Sequence, residues 1–128
     1  TDNSVEIAKG FTPHVYVTDW QGYGIQKQRA LDYATHPWVF NLDADESVDE
    51  PLKQAIIKAI TDDKADAYRI PIHLTFYGKG RPYSWSPSKH IRLFKKDAAQ
   101  YSKNIIHEEV LLPDTAIIGQ LKNSLKHH

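Results

Sequence analysis

The chain is 128 residues long, carries no formal net charge, and is 25% charged and 41% hydrophobic, with seven His and no Cys. That length suits one domain with a sizeable core, and the balance excludes wholesale disorder and argues against a dedicated nucleic-acid binder. The absence of Cys excludes a disulfide framework, a thiolate zinc site and a cysteine nucleophile.

Asn3 or Ser4 can cap a short helix through Val5, Ile7 and Ala8, which Gly10 would stop. His14-Val15-Tyr16-Val17-Thr18 is β-rich and predicts a strand, and the glycines of 19–24 predict a loop. A helix is predicted over 25–35, with Ala30, Leu31 and Ala34 inward and Pro37 beyond its end. Trp38-Val39-Phe40-Asn41-Leu42 is a short apolar run between turn-prone residues and predicts a buried strand. Pro51 then sits just inside a helix that Ser47 or Asp49 can cap, and Leu52, Ala55, Ile56, Ala59 and Ile60 give it an apolar stripe. Ala67 to Tyr77 is strand-like, with Pro71 pointing to an edge or a bulge. A turn over 78–82 leads to an alternating strand over 89–94, and the tail from Ile105 to Leu125 holds short strands and turns. Helix and strand alternate early and strands dominate late, so the class is α/β with a partly mixed sheet, in one domain over 1–128.

Charge is unevenly spread. From Asp43 to Asp66 acids outnumber lysines, whereas from Lys79 to Lys103 the seven bases Lys79, Arg81, Lys89, Arg92, Lys95, Lys96 and Lys103 face only Asp97. An acidic block for a cation followed by a basic block for phosphate is one way to bind a metal–phosphate substrate; two solvated faces are the plainer reading. The sharpest feature is Asp43-Ala44-Asp45 after the apolar run. On an extended segment alternate side chains share a side, so both carboxylates would aim at one point at a strand end, where open α/β sheets bind ligands. Two hard oxygen donors suit Mg²⁺ or Mn²⁺, with positions left for phosphate oxygens. A carboxylate pair that caps the following helix is the structural alternative.

An EF-hand calcium loop is excluded, because Val48 stands where Gly is needed and Gln54 where Glu is needed. A zinc hydrolase is excluded because His107-Glu108-Glu109 does not continue into H-E-x-x-H. A Mg²⁺-dependent phosphatase attacking through Asp43 stays open, as does a non-catalytic module associating through its basic stretch or an open sheet edge. Trp38 reads as core, while Trp20 and Trp85, in turn-rich segments, can stack on a ligand. Tyr83-Ser84-Trp85-Ser86-Pro87 is an aromatic, turn-rich loop, and His107 stands out among the histidines because it adjoins Glu108. No apolar run spans a bilayer, and Thr1-Asp2-Asn3-Ser4 does not resemble a signal peptide, so none is expected. A cytoplasmic location is therefore expected, with the basic stretch able to approach anionic lipid on the inner face of the cytoplasmic membrane.

Several motifs in order resemble the family 2 glycosyltransferases: Asp19-Trp20-Gln21-Gly22-Tyr23-Gly24, then Gln26-Lys27-Gln28 and Ala30-Leu31, then Trp38 through Asp43-Ala44-Asp45-Glu46. The closer likeness is to the bacterial branch that adds glucose-type sugars to the lipopolysaccharide inner core. The second half of that branch is similar to Arg92-Leu93-Phe94, His107-Glu108 and Leu125-Lys126-His127 here.

The resemblance implies a GT-A-type fold, a mixed sheet flanked by helices. It implies inverting transfer of a hexose from a nucleotide diphosphate sugar to a lipopolysaccharide-core or related surface-glycan acceptor, with no glycosyl-enzyme intermediate. It carries Asp43 and Asp45 over as the D-x-D that binds the donor through Mg²⁺ or Mn²⁺. Lys27 and Arg92 become donor contacts, Glu108 the general base, and His107 its neighbour on the acceptor side, where the loop 83–87 with Trp85 is also expected. Gln28 stands where the family often has Asn. The family's opening strand, helix and second strand have no counterpart, since Thr1-Asp2-Asn3-Ser4 resembles the tail of that region. A partial domain lacking its first βαβ portion is thus implied, with a sheet edge able to pair with another copy.

Overall fold

The computed structural model describes residues 2–78, 81–84 and 88–128, and the side chains of these except 74–78, 81–84 and 88. A mixed sheet is built around one long strand, β3 (Ala67–Gly78). On one side β3 pairs antiparallel with β5 (Ser88–Lys95), and β5 pairs antiparallel with β1 (Trp38–Phe40). On the other side β8 (Ile118–Gln120) and β9 (Leu125–His127) run parallel to β3, one after the other. The two-residue strand β2 (Glu46–Ser47) pairs with β9, and β4 (Arg81–Ser84) folds back on the far end of β3. A separate antiparallel pair joins β6 (Gln100–Tyr101) to β7 (Val110–Leu111). The expected mixed α/β class is the one the chain adopts.

Two apolar cores cover the two faces of the sheet. Under α3 (Glu50–Asp62), Leu52, Ile56 and Ala59 pack on Tyr68, Ile70, Ile72, Leu93 and Leu125. Under α2 (Tyr23–Tyr33), Leu31 packs with Ala67, Phe94 and Tyr101. Trp38 and Phe40 join the first core and Val39 the second, which is why β1 reads as an apolar run rather than an alternation. The strand is shorter and less buried than expected. It has β5 as its one partner among the described residues, and Leu42 beyond it is exposed.

α3 matches its sequence signals. The Asp49 carboxylate accepts from Leu52 N–H at 3.0 Å, Pro51 lies in the first turn, and Asp63 ends the helix in the left-handed region with φ 47°. The six-residue α1 (Ser4–Lys9) buries nothing, and Asn3 precedes it without a side-chain cap bond.

Three expectations are corrected. His14 to Thr18 is not a strand: no strand among the described residues pairs with it, Val17 is exposed and Tyr16 stacks on Tyr33. β-Branched residues favour a pleated surface, but only a ladder partner makes a strand of them. β3 is central despite Pro71, because Pro71 falls between β8, which pairs with Ala67 to Arg69, and β9, which pairs from Ile72. No parallel partner there calls for the missing N–H. Finally, β5 is not a simple alternation. Register passes from Tyr68↔Leu93 to Arg69↔Ile91, leaving Arg92 as an unpaired, bulged residue.

Candidate functional site

α2 is held to the site by polar contacts. Tyr23 N–H donates to Ile105 O at 3.3 Å and Gly24 N–H to Asn104 O at 3.2 Å. A Cβ on Gly24 would lie 2.0 Å from Ser102 O, so glycine is what lets the helix start this close. A turn later, Gln28 Oε1 accepts from Tyr101 N–H at 2.7 Å. These contacts aim Lys27 into a cleft of about 800 Å³ that Asp43, Asp45, Arg92, His107 and Glu108 also line.

The D-x-D lies in a turn rather than on an extended strand end, since Glu46 N–H donates to Asp43 O at 3.1 Å. The alternate-residue argument therefore does not apply, although both carboxylates reach the cleft. Glu46 holds the turn together: its Oε2 accepts from Asp43 N–H at 2.9 Å and from Arg92 at 3.1 Å, and its Oε1 from Arg92 at 2.8 Å. Both partners are buried, with side chains 2% and 10% exposed for Glu46 and Arg92. Arg92 also reaches Asp43 Oδ2 at 3.2 Å and the Asn41 carbonyl at 3.5 Å. Its guanidinium is thus committed to the turn, where the resemblance implied a donor contact.

Lys27 links the two halves of the site. Its Nζ lies 3.1 Å from Asp43 Oδ1 and 2.6 Å from Glu108 Oε1. His107, immediately before Glu108, is exposed and adopts a left-handed backbone with φ 60°, uncommon for a residue other than glycine. Asp45 pairs instead with His127 Nε2 at 2.8 Å, and Ser47 Oγ meets His128 Nε2 at 2.8 Å.

The electrostatics follow from these contacts. Burial works to raise the Asp43 carboxyl, but the Arg92 guanidinium and the Lys27 ammonium outweigh it and hold its pKa below the ordinary Asp value. Burial also opposes ionisation of Glu108, and the hydrogen bond and charge of Lys27 prevail over it, again lowering the pKa. Both carboxylates are therefore charged at neutral pH. Behind them burial pushes the Tyr101 phenol up to about 12.

Among the described residues no three His, Asp or Glu side chains are grouped to cage a metal ion. Asp43 and Asp45 offer two carboxylates at one cleft, the number that Mg²⁺ takes from a protein when phosphate oxygens supply the rest. Trp85 lies outside the described residues. Trp20 is exposed, with its ring edge-to-face on Tyr23.

Glu46 and His127 were missed by sequence reasoning. Both lie in motifs that carry the family resemblance, but nothing local gave them a role: Glu46 reads as one more acid in an acidic block, and His127 meets Asp45 only because β9 pairs with β2.

The sheet carries a helix on each face and a D-x-D turn beyond β1, and the sequence comparisons give the family. The chain belongs to glycosyl transferase family 2, whose family model matches residues 1–110. The mixed sheet flanked by helices is consistent with a GT-A-like fold. The whole chain is 32% identical, over 138 aligned positions, to an uncharacterized glycosyltransferase of Rickettsia prowazekii (strain Madrid E), covering 47% of that protein. A glycosyltransferase of Rickettsia typhi (strain ATCC VR-144 / Wilmington) matches at the same identity and coverage. The lipopolysaccharide core biosynthesis glycosyltransferase LpsC of Rhizobium meliloti (strain 1021) is 28% identical over 110 positions, covering 84% of this chain and 41% of LpsC. The chain thus spans about half the length of the curated relatives it matches. No helix among the described residues is long and apolar enough to cross a membrane.

Proposed function

We propose that the protein to which this domain belongs is a divalent-cation-dependent, inverting glycosyltransferase. It moves a hexose from a nucleotide diphosphate sugar to a lipopolysaccharide-core or related surface-glycan acceptor. The observation that carries the reading is Lys27 Nζ standing between Asp43 Oδ1 and Glu108 Oε1, which joins the D-x-D and the His-Glu pair, far apart in sequence, at one cleft. Family membership and the likeness to LpsC support the reaction class and the kind of acceptor.

Asp43 and Asp45 would hold the cation, which when bound neutralises charge on the departing diphosphate. Glu108 takes the proton of the acceptor hydroxyl as its oxygen bonds to the anomeric carbon and the bond from that carbon to the diphosphate oxygen breaks. Such a base contributes about 10²–10⁴-fold. Lys27 keeps Glu108 ionised, hence competent to accept, and is the cation assigned to the donor side of the cleft. Arg92 acts through Asp43, whose carboxylate it orients. His107 lies on the acceptor side, and Trp85 is assigned there from its sequence context alone. Peripheral contact of exposed basic residues with anionic lipid on the cytoplasmic side would bring a lipid-linked acceptor within reach.

The test is calorimetric titration with UDP, with and without Mn²⁺, on this chain and on a form extended to the length of its relatives. Mn²⁺-dependent binding that disappears in Asp45→Ala is the expected result. UDP binding indifferent to both Mn²⁺ and Asp45→Ala would overturn the assignment of Asp43 and Asp45.

A further inference from the structure

Four Lys and Arg side chains line the cleft, and they divide into two kinds. Lys27 and Arg92 are committed to Asp43, Glu46 and Glu108. Arg69 and Lys89 are exposed, and neither makes an ion pair among the described residues. Two cations with no ion-pair partner among the described residues, lining a cleft with Asp43, Asp45, Glu108 and Glu109, can take a ligand of opposite charge.

The bulge puts them there. Cross-strand partners share a sheet face, and the register pairs Arg69 with Ile91 and Pro71 with Lys89. Ile91 packs against the second core, on the face that carries α2 and the cleft, so Arg69 and Lys89 project from that face together. Without the extra residue at Arg92, strict alternation from Leu93, which belongs to the core under α3, would send Ile91 and Lys89 to the opposite face. The same bulge that frees Arg92 for Glu46 thus delivers Lys89 to the cleft.

We propose that Arg69 and Lys89 form a subsite for an anionic group, a phosphate or a carboxylate, carried by the sugar acceptor. The inference rests on the transferase reading and names the acceptor's chemistry. The proposed function assigns the donor's diphosphate to the cation that Asp43 and Asp45 would hold, so a separate cationic pair lining the same cleft serves a second anion. It also offsets the repulsion that the acidic residues would exert on an anionic acceptor. A neutral acceptor would gain nothing from it, which makes the pair a determinant of specificity.

The test uses three probes on the parent chain, Arg69→Gln and Lys89→Gln: glucose 6-phosphate, glucose, and UDP with Mn²⁺, each by calorimetry at low and high salt. Both side chains are exposed, so the variants keep the fold, and circular dichroism verifies it. Glucose 6-phosphate affinity should fall about tenfold for each lost charge, as expected for a charge-assisted hydrogen bond, and should weaken with salt in the parent. Glucose and UDP affinities should not change. Unchanged glucose 6-phosphate binding in both variants, or none in the parent, overturns the proposal. A loss confined to UDP overturns it too, by giving the pair to the donor. If the form extended to the length of its relatives fails to bind UDP while the variants still lose glucose 6-phosphate, the transferase reading falls and the anion subsite stands.

Discussion

The two long helices of this domain are built on different principles. α3 carries an apolar stripe, a carboxylate N-cap and a left-handed terminus, and it buries Leu52, Ile56 and Ala59 against the sheet. α2 has no side-chain cap and buries only Gly24 and Leu31. It is held by main-chain bonds to 104–105, by the Gln28 contact to Tyr101, and by an approach that tolerates no Cβ. The helix stabilised by burial has no residue at the cleft; the helix attached by directional contacts brings Lys27 to both carboxylates. Apolar packing is indifferent to small rotations, whereas an ammonium shared between two carboxylates is not, so the functional helix needs directional anchors.

Variants in the two regions should therefore fail differently. The largest effect is expected at the buried pair. Arg92→Ala leaves the Glu46 carboxylate unpaired, at a cost of about 3–5 kcal/mol in urea unfolding. Leu52→Ala under α3 should cost a similar amount, about 2–5 kcal/mol, through its cavity. The comparison sharpens in the folded fraction: Leu52→Ala keeps UDP–Mn²⁺ affinity, and Arg92→Ala loses it. Replacing both members, Glu46→Leu with Arg92→Met, should recover most of the stability but not the affinity, because Asp43 has still lost its orienting partner. Equal losses of affinity in Leu52→Ala and Arg92→Ala would break the distinction.

Next in size is Gly24→Ala. Its methyl group must displace Ser102 O, and overpacking of this kind costs about 1–3 kcal/mol. The displacement lifts the first turn of α2, so the expected mark is a shift of Lys27 and Glu108 resonances together in NMR spectra. The counterpart in α3 is Asp49→Ala, which removes one cap bond for about 1 kcal/mol and should leave those resonances in place.

This contrast also explains what the sequence could tell. α3 was legible because each of its stabilising features is local: stripe, cap and proline lie within one stretch. The D-x-D, Lys27 and the His-Glu pair were legible only as motifs in order, and their meeting at Lys27 Nζ depends on tertiary placement. The bulge at Arg92 was hidden because Lys89 to Phe94 alternates well enough to pass for a regular strand, and a one-residue irregularity changes the face of everything before it. Pro71 misled for a related reason: whether a missing N–H matters depends on which partners run alongside, and β8 and β9 arrive from the far end of the chain. Glu46 was legible as the end of a motif but not as the buried partner of Arg92, which is distant in sequence.

The smallest expected effect is a pH dependence, and it separates the helices without altering a core. Burial would raise Asp43 and Glu108, but Arg92 and Lys27 overcome it, so both titrate below the ordinary values of 3.8 and 4.5 when folded. As pH falls the unfolded chain takes up these protons first; it then binds more protons than the native state, and stability declines. The contribution is complete above the ordinary values and is lost as pH drops through the lowered folded ones. Partial exposure of both groups keeps it modest through solvent screening. Urea midpoints measured from about pH 6 down to about pH 3 should fall along a common profile for the parent and Leu52→Ala, displaced but equally steep. Lys27→Met should give a shallower profile, because the cation that holds both carboxyls down has been removed. A profile for Lys27→Met as steep as the parent's would mean that α2 does not set the charge of the cleft, and that Arg92 suffices to hold Asp43 down.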